Sequence, residues 1–224
     1  MGQILSDKKA AALKYAPGAL ASVFLIILVL AVTVSGCAKK AVKPVEARLE
    51  FAHVLDSVTR SARIYQGLDS ILYVTATYKT MEFRQAYVDL YVKGYQVGEA
   101  YRTALQEREK EESGKYNEIF FTAYTPEARW NDFDRRDSVW RLYLEDDSGN
   151  RLIPVSVKKI DAGDPLIRVF FPYFDPWSSG YVARFPKYSE TGTEPIPGEK
   201  TRYLKLIVTG ILGNGEIEWR LKAD

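Results

Sequence analysis

The sequence predicts a mainly β protein: an antiparallel β-sandwich with one helical insertion, behind an N-terminal export or anchor segment. Three observations predict it. Beyond residue 115, short stretches of alternating or β-branched apolar residues follow one another between turn signals, at the spacing of strands in a sandwich. Over residues 81–112, apolar and aromatic side chains recur instead at steps of three and four, the period of a helix. Ahead of both lies an uncharged apolar run, residues 19–34.

Lys8, Lys9 and Lys14 precede that run, and Ser35 and Gly36 separate it from Cys37, the one cysteine of the chain. A basic start, an apolar middle and a small-residue exit are the three parts of an export signal. The tetrad Val34-Ser35-Gly36-Cys37 resembles the lipobox of bacterial lipoprotein precursors. This resemblance covers residues 1–38. It implies that the Cys37 thiol takes a diacylglycerol, that the bond between Gly36 and Cys37 is cut and that the freed amine is acylated. Residues 1–36 are then a signal peptide and residues 37–44 a lipidated tether, whose Lys39, Lys40 and Lys43 either rest on anionic headgroups or are simply solvated. Several palmitate-type chains, at about 0.8 kcal/mol per buried methylene, hold a protein at a membrane where one chain binds only marginally. Ala38 stands where the enteric sorting pattern has an aspartate for inner-membrane retention, so the resemblance implies the outer membrane, its periplasmic or surface face left open. Two other readings stay open. Residues 19–34 are only slightly shorter than the roughly 17–25 residues of a spanning helix, and Met1-Gly2 to Ser6 fits a myristoylation pattern.

Removing residues 1–36 takes away three lysines and Asp7, and with them the whole excess of two positive charges. A neutral mature chain gives no support to a nucleic-acid partner. With Cys37 acylated, no thiol remains for a disulfide, a thiolate metal site or a nucleophile. Residues 45–224 are enough for one domain with a sizeable core, and they hold no fixed-period repeat.

Within that domain, Phe51, Leu55, Val58 and Ala62 step at helical spacing toward a turn at Gly67, while residues 58–65 alternate well enough for a first strand. That boundary stays open. Residues 71–80 are a strand by their β-branched and aromatic content. Phe83, Tyr87, Leu90, Gly94, Val97, Tyr101 and Leu105 then share one helical face, with Thr80 placed as N-cap and Ser113-Gly114 as the stop. Gly94 and Gly98 each weaken the middle by about 1 kcal/mol relative to alanine, marking a kink or a close backbone approach. Strands follow at 118–124, 138–145, 152–160, 166–171, 181–185, 202–209 and 216–221. Residues 146–150 form one turn, and Gly213-Asn214-Gly215 signals the hairpin joining the last pair. Short connections argue for antiparallel pairing in a sandwich, the immunoglobulin arrangement being one form. Trp140-Arg141-Leu142 and the stretch 210–219 are similar to uncharacterised bacterial envelope proteins, a likeness that implies no activity.

The residues select no chemistry. His53, the one histidine, lies near Asp56 and Ser57, but a triad is assembled from distant parts of a fold, and a surface or packing histidine is the plainer reading. Asp132, Asp134 and Asp137 alternate like calcium ligands without the glycine and distal glutamate of an EF-hand loop, and Arg135 and Arg136 neutralise them. The glycines at 210, 213 and 215 lead into a strand, whereas a phosphate site needs a helix N-terminus. Glu118, Glu127, Asp175, Glu216 and Glu218 leave a glycosidase-type pair open, with nothing to select two of them. No catalytic residue, metal ligand or cofactor is assigned.

The binding candidates are aromatic. Residues 170–185 crowd Phe171, Tyr173, Phe174, Trp177 and Tyr181 around Pro172 and Pro176, either as a platform for sugar rings or a protein partner, or as the plug of an open sandwich end. Tyr91 and Tyr95, beside the main helical stripe, read as a second partner surface or as further packing. The expectation is an envelope module acting by binding or assembly, membrane-held through lipid on Cys37, with envelope proteins or glycan as partners. The alternatives are an envelope hydrolase acting on glycan or peptide, and a carbohydrate-binding module.

Overall fold

The computed structural model describes residues 44–188 and 192–221. The expected signal segment and lipobox, with Cys37, fall outside the described residues. In chain order the elements are α1 (Pro44–Ser57), β1 (Thr59–Gln66), β2 (Asp69–Tyr78), α2 (Met81–Tyr95), α3 (Glu99–Lys115), β3 (Tyr116–Tyr124), β4 (Trp140–Asp146), β5 (Arg151–Leu152), β6 (Ser156–Lys159), α4 (Pro165–Phe170), β7 (Ser179–Pro186), β8 (Tyr203–Gly210) and β9 (Gly213–Arg220), with a short 3-10 turn at Ala128–Trp130. The strands form two antiparallel sheets, ordered β1-β2-β3-β7-β6 and β5-β4-β8-β9. This is the mainly β sandwich with a helical insertion that the sequence predicts. Its strand order differs from the immunoglobulin one, where the second strand pairs with the fifth: here β2 pairs with β3, on the far side of the insertion.

Alternation explains the sandwich. In β2, Leu72, Val74, Ala76 and Tyr78 face inward; with Ile119, Phe121 and Ala123 of β3 and Tyr181, Ala183 and Phe185 of β7, they meet Leu142 and Leu144 of β4, Leu204 and Leu206 of β8 and Trp219 of β9 in one core. The five-stranded sheet is also covered behind. Phe120 of β3 and Val182 of β7 point the opposite way, onto Phe51 and Leu55 of α1, Phe83 of α2, and Phe170, Phe171 and Phe174. The helices therefore form a third layer, which is why β3 is buried without interruption from Asn117 to Ala123.

The structure settles the first boundary both ways: α1 runs to Ser57 and β1 starts at Thr59. The carbonyl of Val58 between them accepts from Tyr78 N at 3.1 Å and from Trp219 Nε1 at 2.7 Å, tying the first helix to both sheets.

Four sequence expectations are corrected. The insertion is two helices rather than one: α2 ends where Gln96 turns left-handed at φ 52°, and Gly98 starts α3, which runs past Ser113-Gly114 to Lys115. Thr80 does cap α2, its hydroxyl accepting from Phe83 N at 3.2 Å. Residues 166–171 form helix α4, because Asp164 accepts from Leu166 N at 2.9 Å and Pro165 sits in the first turn, a start signal stronger than the β-branched residues after it. The stretch 152–160 breaks around Pro154 into β5 and β6, which belong to different sheets. Finally, Gly213-Asn214-Gly215 lies within β9, and the hairpin turns instead at Ile211-Leu212, between the register partners Gly210 and Gly213. Close approach fixes both glycines: a Cβ at Gly210 would lie 2.2 Å from Val139 O, and one at Gly213 (φ +143°) 2.6 Å from Ile64 Cγ2.

Candidate functional site

The helical layer covers only part of the outer face of the five-stranded sheet. Beyond it, Ser61 and Arg63 of β1, Tyr73 and Thr75 of β2, and Thr122 and Tyr124 of β3 form the floor of a cleft of about 430 Å³. The loop after α4 makes its wall, through Tyr173, Asp175, Trp177 and Ser178.

Register builds the floor in rows. Arg63 stands opposite Tyr73, and Tyr73 opposite Tyr124, so the three share one face. The Tyr73 ring lies 5.9 Å from that of Tyr124 and 6.1 Å from that of Tyr65, with the Arg63 guanidinium 5.2 Å above it. Ser70 shares a 2.7 Å hydrogen bond with the Tyr73 hydroxyl; hydrogen bonding to Ser70 and then to Tyr65, aided by Arg63, holds that hydroxyl below the ordinary tyrosine pKa. In the next row Ser61 and Thr75 share a hydrogen bond of 2.9 Å, and in the one after it Thr59 and Thr77 share one of 2.7 Å. Tyr173 reaches Thr77 from the wall at 2.6 Å, and its burial pushes the phenol pKa well up.

The wall is pinned from behind. Phe171 stacks on Phe120 with centroids 3.8 Å apart, Phe174 is buried edge-on to the same ring, and Asp175 Oδ1 accepts from Trp177 N and Ser178 N, both at 2.8 Å. On this fixed turn Trp177 stands 81 % exposed.

Of the aromatic candidates, Tyr173 and Trp177 meet in the cleft. Phe174 and Tyr181 are corrected to core residues, 2 % and 0 % exposed on opposite sides of the sheet. Tyr181 donates to Asn131 O at 2.7 Å, and burial pushes its pKa up to about 12. Tyr91 and Tyr95 lie apart from the cleft, in a ring cluster where Tyr91 stands 4.6 Å from Tyr95 and 6.2 Å from Tyr101 of α3. Arg63, Tyr73 and Tyr124 are the members that sequence reasoning missed. Tyr73 has a signal in the polar half of β2, where Tyr73, Thr75 and Thr77 alternate with Leu72, Val74 and Ala76; Arg63 and Tyr124 join it only through pairing register.

The chemical candidates separate. Of the five carboxylates, Asp175 alone lines the cleft. Glu118 is buried between Lys79 and Arg184, Glu127 pairs with Arg129 at 3.3 Å, and Glu216 and Glu218 share Lys205 at 3.1 and 4.0 Å. His53 is exposed on α1, and Asp132 accepts from Ser138 Oγ at 2.8 Å. Among the described residues no three acidic, histidine or cysteine side chains converge as a metal site, and no helix is long and apolar enough to cross a membrane. No family model, curated protein or solved structure matches this chain.

Proposed function

We propose that the protein is a lipid-anchored component of a bacterial cell envelope, held through Cys37 at the outer membrane, that acts by binding a ligand in the cleft between β1–β3 and the Trp177 loop. The observation that carries the binding role is Trp177: a large ring left in solvent on a turn that is otherwise pinned, facing a preformed floor. Exposed aromatic anchors on rigid supports are where binding energy concentrates. The residues support binding over hydrolysis, since cleaving a glycan ordinarily takes two facing carboxylates, and among the described residues Asp175 is the one acidic side chain lining the cleft.

Two measurements test this reading. Intact mass of the membrane-extracted protein is expected to begin at Cys37 with added acyl mass, while Cys37→Ala stays uncleaved and unlipidated. A chain that begins at Met1 or Gly2 without lipid removes the anchor and the outer-membrane assignment together. For the cleft, a photo-crosslinking amino acid at Ser61, on the floor, is expected to capture envelope material in intact cells, and one at Ile153, exposed just ahead of β6 at the opposite edge of the sheet, is not. Equal capture at both sites, or none at either, defeats the binding role.

A further inference from the structure

Resting on the reading of the cleft as a binding site, we propose that its ligand is a saccharide, with the apolar faces of its rings laid on Trp177 and the tyrosine row and its hydroxyls bonded to the floor and to Arg63 and Asp175.

The floor chemistry argues for it first. In the Ser61–Thr75 pair on the cleft floor one hydroxyl donates to the other, leaving the pair with a proton to give and lone pairs to receive. A sugar hydroxyl has the same double capacity. A peptide strand needs something else, a row of unpaired backbone N–H and C=O at a sheet edge. The floor of this cleft is a sheet face: the backbones of β2 and β3 are already engaged in their ladders, and although β1 is the edge strand, it lines the cleft through the Ser61 and Arg63 side chains.

The aromatic groups argue next. Pyranose rings present C–H faces, and these suit the electron-rich faces of Tyr73, Tyr124 and Trp177, as they suit no charged surface. Flanking them are two polar groups with capacity to spare. Among the described residues Arg63 has no hydrogen-bonding or acidic partner, its guanidinium resting on the Tyr73 ring, and Asp175 commits Oδ1 to its own turn while Oδ2 accepts no hydrogen bond.

The charge balance excludes polyanions. Among the described residues one cation and one anion line the cleft, whereas a nucleic acid or other polyanion draws its affinity from an excess of lysine and arginine. At about 430 Å³ the cleft falls within the range of small-ligand sites, large enough for a short run of sugar units.

The test is affinity electrophoresis of the detergent-extracted full protein. Native gels are cast with glycan from the same envelope, as muramidase-released peptidoglycan chains and as extracted polysaccharide, each freed of protein by protease. Retardation in at least one gel is expected. Trp177→Ala and Arg63→Ala, both at exposed side chains, should weaken it about tenfold while leaving the circular dichroism unchanged. Ile153→Ala should match the wild type. Retardation should change less than about twofold between roughly 50 and 200 mM salt, unlike binding to a polyanion. No retardation in any gel, or retardation that both cleft variants keep, overturns the saccharide. If the gels show none while the Ser61 crosslink is protease-sensitive, the ligand is a protein and the binding role stands. If neither gels nor crosslinker report anything, both readings fall.

Discussion

Phe120→Ala is expected to lower the unfolding free energy by about 3–5 kcal/mol, read from the urea midpoint. Phe120 is 2 % exposed and is the point where the helical layer meets the sheet. Its ring stacks on Phe171 at 3.8 Å, and Phe171 is held in turn by Phe83 at 5.9 Å, so the surroundings cannot fall inward to fill the space. The same substitution frees the back of the loop that carries Trp177, and glycan retention should fall with stability. Phe121→Ala separates the two effects. One residue along the strand, Phe121 packs on Tyr181 and Phe133 in the sandwich core, so it should cost a similar amount and leave retention of the folded fraction unchanged. A Phe120→Ala protein within about 1 kcal/mol of wild type would show that the helical layer is not mortised to the sheet at this ring.

Glu118→Ala is expected to cost about 3 kcal/mol, the lower end of what breaking a buried ion pair costs. The carboxylate is 4 % exposed and contacts Lys79 and, at 2.9 Å, Arg184. Arg184 is 37 % exposed and partly screened by water, which sets the lower figure. Burial is the strongest influence on Glu118 and opposes its charge, but Lys79, Arg84 and Arg184 together outweigh it and hold the carboxyl below the ordinary glutamate value. A depressed carboxylate contributes stability that is fully present above the unfolded-state pKa and is lost as pH falls through the folded-state one. Wild-type stability should therefore decline on acidification below about pH 4.5. Glu111 and Asp147, also lowered, add to that decline, so the comparison with Glu118→Gln isolates the buried pair. An acid limb of equal steepness in the Gln variant would count against the ion pair.

Much of this architecture is written in local patterns. The strict alternation of Leu142 and Leu144 states one-sided burial, and the unbroken Ile119-Phe120-Phe121 states burial on both faces, which a two-layer reading has no place for. Where the sequence misleads, a stronger local signal lies one or two residues away. The apolar run after Pro165 reads as a strand until Asp164 is seen to cap it, and Pro154 interrupts what otherwise reads as one strand. The cleft is legible by halves. Tyr173 and Trp177 stand out because each directly follows a proline in one short aromatic stretch. Arg63, Tyr73 and Tyr124 come from three strands, and only pairing register puts them in a row. Register equally sends Tyr181 into the core, which no inspection of the aromatic stretch alone reveals.

The Val58 carbonyl sets an order of events. It receives Tyr78 early in the chain, but its second donor, Trp219, lies 161 residues further on. A chain delivered from its N-terminus holds the first helix and hairpin long before it holds the indole that seals them. Removal of residues 213–224 is expected to expose the junction at Val58 to limited proteolysis, and a shortened chain as resistant as the whole one would refute this. On the envelope reading proposed above, the delay has a use: a polypeptide threaded across a membrane must stay unfolded while it passes, and this one withholds the latch on Val58 until Trp219 has followed.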